Sequence, residues 1–179
     1  FNNDYRFFFG KDNPQLLAFE ELENSYTKSD NLMFMVSPKD GNVFSKETLT
    51  AVQDLTKQSW QIPFSTRVDS ITNFQHTTAK GDDLYVADLV KKEAKDLTPE
   101  ELESIKKTAL GEPILNGLLI TGKAHVTGVN TALQLPGKSP DEVLTVTAFA
   151  NKMRDTFAKK YPNQRFRISG MVALNGAFA

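Results

Sequence analysis

Apolar residues in this chain fall into two spacings. Val143, Val146, Ala150, Met153 and Phe157 recur every third or fourth position. So do Leu49, Val52 and Leu55, with Trp60 prolonging that face, and Leu102, Ile105 and Ala109. This is the period of a helix with one apolar side. Leu16, Leu17, Phe19 and Leu22 predict a further helix over about 14–26. The start of each helix is marked in the sequence. Asn13-Pro14, Ser45, Thr98-Pro99-Glu100-Glu101 and Ser139-Pro140-Asp141-Glu142 all place a capping oxygen ahead of a helical run. Such oxygens satisfy the amides that a first turn leaves unpaired. The third and fourth also carry the glutamate of a capping box.

Strand patterns lie between the helices. Residues 31–36 are almost continuously apolar, which predicts a strand buried on both faces. Residues 67–74 alternate more loosely. Residues 118–120 and 124–135 read as a hairpin about Thr121-Gly122-Lys123, and 164–174 as a final strand with Phe166, Ile168 and Met171 inward. Two β-α-β units result, 31–37/45–60/66–74 and 124–135/139–160/164–174, alike in pattern and not in sequence. Side by side they predict an α/β (α+β) domain, a ferredoxin-like split β-α-β sheet with helices on one face. Residues 1–30 form a linker and helix ahead of this 31–179 domain. Residues 75–115 are an insertion, in which 80–95 is expected to be a loop followed by a short element.

Composition narrows the function. Hydrophobic residues at 40% against 24% charged allow a substantial core. A net charge of −1 without Lys/Arg clusters excludes a nucleic-acid binder. The absence of cysteine excludes a disulfide framework and thiolate chemistry. No apolar run approaches the roughly 20 residues that cross a bilayer, and no signal peptide is visible. The chain opens on Phe1 and closes on Ala179 without a polar tail. Both ends are read as cut from a longer polypeptide.

Candidate chemistry is sparse. His76 and His125 are the only histidines and stand about fifty residues apart, without metal-ligand spacing. Asp82-Asp83 reads as a solvated turn, lacking the further oxygens a calcium loop needs. Gly117, Gly122 and Gly128 form no phosphate loop, and no serine sits in a nucleophile elbow. No catalytic residue, metal or cofactor is expected. The unusual segment is 60–75. Arg67 and Asp69 share a strand face there, and Ser70, Thr72 and Asn73 add hydrogen-bonding groups. This polar motif either lines a cleft or interface, or holds strand to loop. Trp60 and Pro63 are expected to end the helix and force an extended exit. Phe7-Phe8-Phe9 is either a core anchor or a membrane-surface contact.

Leu55-Thr56, Trp60, Ile62-Pro63 and Arg67-Val68-Asp69-Ser70-Ile71-Thr72-Asn73-Phe74 resemble the first large extracytoplasmic loop of resistance-nodulation-division (RND) superfamily exporters. The likeness is to the branch of predicted lipid and hopanoid exporters and mycobacterial large membrane proteins. Gly81-Asp82-Asp83-Leu84 with Val86 and Leu89 continues it. Asp4-Tyr5-Arg6-Phe7-Phe8 is similar to the stretch after that family's first membrane helix, and Ser169-Gly170-Met171-Val172-Ala173-Leu174-Asn175 to the approach to the second.

The resemblance implies a porter-type domain on the periplasmic side of the bacterial inner membrane, within a proton-driven exporter. The proton-carrying acids would lie in membrane helices outside this segment. Its partners would be the second extracytoplasmic loop domain and hydrophobic or amphipathic cargo. Phe34, Trp60, Phe64 and Phe74 are the candidate residues of the cargo path. Weak self-association is expected where the sibling domain is missing. The alternatives are a free-standing lipid or peptide binding module, and a small hydrolase on a ferredoxin-like sheet using Arg67, Asp69 and His76.

Overall fold

The computed structural model describes residues 9–10, 12–25, 30–139 and 141–178. The expectations placed on Asp4 to Phe8 lie outside the described residues; Phe9 is exposed. The helices are α1 (Pro14–Ser25), α2 (Lys46–Ser59), α3 (Pro99–Gly111), α4 (Asp141–Lys160) and α5 (Met171–Phe178), with a 3-10 turn at Ala94–Asp96. The strands are β1 (Asn31–Pro38), β2 (Ser65–Ser70), β3 (Gln75–Lys80), β4 (Asp83–Asp88), β5 (Thr127–Leu133) and β6 (Gln164–Ser169). The fold is α+β.

Four strands form an antiparallel sheet in the order β2-β5-β1-β6. The two β-α-β units interleave. β5 lies between β1 and β2, and β1 lies between β5 and β6. Register aligns one buried face across the sheet: Ser70, Val129, Phe34 and Ile168 in one row, Thr127, Val36 and Phe166 in the next. Both crossover helices cover this face. In α2 the Thr56 hydroxyl donates to Ser70 Oγ at 2.9 Å. In α4 the Phe157 ring meets Phe166 edge-on at 5.8 Å. Leu32, Phe34, Val36, Leu49, Val52 and Leu55 are fully buried between the layers.

The caps act as the sequence indicates. Asn13 Oδ1 accepts from the amides of Gln15 and Leu16, and Ser45 Oγ from that of Thr48. Thr98 and Glu101 close a complete capping box, and Glu101 also holds Lys92 at 2.8 Å. At α4 the glutamate does most of the work. Glu142 takes the amides of Gly137, Lys138 and Ser139. Burial opposes its ionisation, yet those three donors hold the carboxyl below its ordinary value. Thr98→Ala is expected to cost about 1 kcal/mol, read as a lower urea midpoint at unchanged slope.

The two crossover helices are tied where α4 ends. Asp54 of α2 accepts from Lys160 Nζ at 2.6 Å and from the Tyr161 hydroxyl. Burial raises the Asp54 pKa, but these hydrogen bonds, with the charges of Lys160 and Lys57, outweigh it and leave the carboxyl below its usual range. A depressed carboxyl stabilises the fold above its unfolded pKa and loses that contribution as pH falls through the folded one. Asp54→Asn is therefore expected to unfold at lower denaturant than the parent near neutral pH. The difference should close as the pH drops below about 4. A gap independent of pH would refute this account.

Several expected elements take another form. β1 is buried on one face only, since Met33 and Met35 on the other are half-covered. The predicted strand 164–174 breaks after Ser169. Gly170 takes φ +103 and α5 begins, its Met171 amide donating to Asn31 Oδ1 at 3.0 Å. Phe166 and Ile168 face inward as expected, but Met171 is 44% exposed. Residues 118–120 are not a strand; only Ile120 bridges to Thr127. Of the loop and short element expected over 80–95, residues 83–88 are instead a strand, because β3 and β4 pair as a hairpin from Gln75–Asp88 to Lys80–Asp83; 89–93 is irregular and leads into the 3-10 turn. Gly81 at φ +65 turns the hairpin, with Asp82 and Asp83 exposed at the tip. The exit from α2 is a tight turn, not an extended stretch: the Gln61, Ile62 and Ser65 amides bond back to the third residue before each.

Candidate functional site: a groove on the open sheet face

The sheet face away from α2 and α4 is only partly covered. The stretch 112–120, which follows α3, borders it and bridges to β5 at Ile120–Thr127. Buried Leu115 anchors that stretch. The Gly128 amide and the Thr127 hydroxyl both donate to the Leu119 carbonyl, at 2.7 and 2.8 Å. A Cβ at Gly128 would stand 3.3 Å from Met33 Sδ and in ordinary contact with Leu119 at 3.8 Å, so the glycine leaves room for both side chains. Between this strap, the sheet and the β2–β3 connection lies a groove of about 500 Å³. That is within the usual range for small-ligand sites.

Its two sides differ in chemistry. Phe74, Met33, Leu115 and Leu119 supply apolar wall, with Ile114 and Leu118 at 64% and 67% exposure. The polar side lies along the strands. Arg67 Nε donates to Asp69 Oδ1 at 2.8 Å. Asn130, in register with Asp69 on one side and Met33 on the other, accepts at Oδ1 from Asn31 Nδ2 at 2.8 Å.

The polar motif read from the sequence thus divides in two. Arg67 and Asp69 face the groove. Ser70 and Asn73 also border it, but their side chains close the turn after β2. Asn73 Oδ1 accepts from the Ser70 amide and hydroxyl, and Asn73 Nδ2 donates to the Val68 carbonyl at 2.7 Å. The Ser70 and Thr72 hydroxyls lie 2.8 Å apart, and the Thr56 hydroxyl reaches Ser70. These bonds join the end of β2 to the turn that follows it.

Of the four aromatic path candidates, only Phe74 borders the groove. Phe34 is fully buried on the opposite face, because its register position points toward the helices. Trp60 caps α2 and is 49% exposed. Phe64 occupies the turn at φ +66, with its carbonyl taken by the Gln134 amide. Neither lines the groove.

His76 Nδ1 stands 3.4 Å from Glu112 Oε1, tying the hairpin to the strap. His125 Nδ1 lies 3.0 Å from the Thr121 hydroxyl within its own turn. Among the described residues no group of three His, Cys, Asp or Glu side chains could hold a metal ion. No helix of the described residues is long and apolar enough to cross a membrane.

The sequence reading missed Asn31, Met33, Asn130 and the strap residues. A signal existed for the first three. Asn130 stands between apolar and small strand residues at the alternation expected of an outward position, and Met33 shares the phase of Asn31. The strap carried no periodicity. No protein-family model matches the chain, and no curated protein matches its sequence.

Proposed function

We propose that this chain is an extracytoplasmic, porter-type domain of an RND-superfamily exporter. It would stand on the periplasmic side of the bacterial inner membrane as part of an integral membrane protein and offer amphipathic, lipid-like cargo a surface to move along. The observation that carries this reading is the two-sided groove, apolar along the strap and polar along the strands. Amphipathic cargo needs both sides at once. The two β-α-β units support it as well, since a porter subdomain built of such units is what the resemblance implies.

Transport is not the work of this domain alone. Ile114 and Leu118 stand exposed at the groove, and the sibling loop domain is the surface we assign to cover them. A hydrolase is disfavoured on the same geometry. Among the described residues the groove's charged side chains, Arg67 and Asp69, are engaged with each other, and the Ser70 hydroxyl is bound to Asn73 and Thr72 with no paired base to activate it.

The test is the hydropathy of the coding sequence on either side of this segment. The exporter reading expects an apolar stretch of about 20 residues close to each end. Natural flanks without such stretches would leave a free-standing binding module in its place.

A further inference from the structure

We propose that the groove selects single-chain amphiphiles whose head group is uncharged and rich in hydroxyls, and disfavours fatty-acid-type anions of equal chain length. This rests on the groove being a cargo surface and narrows that cargo to a head-group class.

The inference comes from the charge balance of the polar side. Among the described residues, Arg67 and Asp69 are the only charged ones that line the groove. At 2.8 Å they neutralise one another. Each keeps unused valence: the salt bridge engages Arg67 Nε and Asp69 Oδ1, leaving both terminal guanidinium nitrogens and Asp69 Oδ2 for another group. Asn130 uses its oxygen on Asn31 and retains its amide hydrogens. The head-group end therefore offers several donors beside one anionic acceptor, with no net charge.

A hydroxyl both donates and accepts, so a polyol head can satisfy the Arg67 and Asn130 donors while giving a proton to Asp69 Oδ2. A carboxylate only accepts. It would meet a guanidinium whose charge is already shared, and a like charge within a few ångströms. The second Asp69 oxygen, which Arg67 does not engage, acts as a repulsive element against anions, the kind of feature on which discrimination commonly rests. The chain of either amphiphile would lie along Phe74, Leu118 and Ile114.

The experiment displaces N-phenyl-1-naphthylamine, a neutral fluorescent reporter of apolar sites, from the 179-residue chain. The competitors are 1-monolauroylglycerol and laurate, each below its aggregation limit, at a pH where laurate is ionised. The monoglyceride is expected to displace the reporter at about tenfold lower concentration, equivalent to about 1.4 kcal/mol. Asp69→Asn keeps an oxygen for Arg67 Nε and removes the charge. It is expected to bring laurate level with the monoglyceride or ahead of it. Leu118→Ser, at an exposed position that cannot unfold the core, is expected to weaken both.

Equal or tighter binding of laurate to the parent chain would overturn the proposal. So would a ratio unchanged in Asp69→Asn, or no displacement by either lipid. The first two outcomes leave the exporter reading standing, whereas no displacement by either lipid would also remove the groove as its cargo surface and leave that reading to the flanking sequence. Conversely, the preference measured on a chain without flanking apolar stretches would retain the head-group selectivity and discard the exporter.

Discussion

Gly170→Ala is expected to destabilise the domain by about 3 kcal/mol, most of a marginal protein's reserve. Two separate costs meet at this residue. Its φ of +103 is a conformation that residues with a Cβ rarely adopt, and strain of that kind costs roughly 1–3 kcal/mol. A Cβ built there would also stand 2.7 Å from the Asn31 carbonyl oxygen and 3.0 Å from Leu32 Cα. Both are backbone atoms of the central strand and cannot rotate aside. Relief would require shifting β1 or releasing the start of α5, whose Met171 amide is held by Asn31. Urea denaturation of the purified variant measures the loss. A midpoint within error of the parent would mean that β1 and α5 separate at little cost, contrary to the packing described.

Phe34→Ala is expected to cost about 3–5 kcal/mol, the range for emptying a buried aromatic site. For a chain of this length that lowers the melting temperature by on the order of 10 °C. Phe34 is wholly buried on the helix-facing side of the central strand, flanked in register by Val129 and Ile168. Phe34→Leu, which keeps most of the volume, should lose far less. Trp60→Ala and Phe64→Ala serve as controls, since both side chains are more than a third exposed. A mild effect at Phe34, matched by a large one at Trp60, would reverse the assignment of core and surface aromatics.

These contrasts locate what the sequence could reveal. Helices were legible because their caps and apolar faces are local. Ser45, Thr98 and Glu142 each act within a few residues of their position in the chain. The two β-α-β units were legible for the same reason. The end of β6 was harder to see. A run of apolar residues from Met171 onward fits strand or helix equally, and the choice is made by Gly170 lying against β1, some 140 positions earlier. The β3–β4 hairpin did carry a signal, the two-residue Gly81-Asp82 turn, which the polar surroundings obscured.

The groove was half legible. Arg67 and Asp69 stood out because polar residues of opposite charge two apart share a strand face. Which aromatic rings join them depended on register. Phe34 and Met33 are neighbours in sequence and face opposite sides of the sheet. Only the pairing of β1 with β5 and β6 decides which one reaches the groove. The strap 112–120 is placed by hydrogen bonds to Thr127 and Gly128, contacts that neither segment announces alone.

The interleaving of the sheet also governs when it can form. β1 has no sheet neighbour until β5 and β6 exist, and those are the last two strands of the chain. A nascent polypeptide must carry this apolar strand unpaired until β5 has been made, bearing the closure entropy of a loop of about ninety residues before any ladder compensates for it. Early pausing would leave that strand bare, so timing of delivery, as much as final stability, should decide how much of this protein a cell recovers intact.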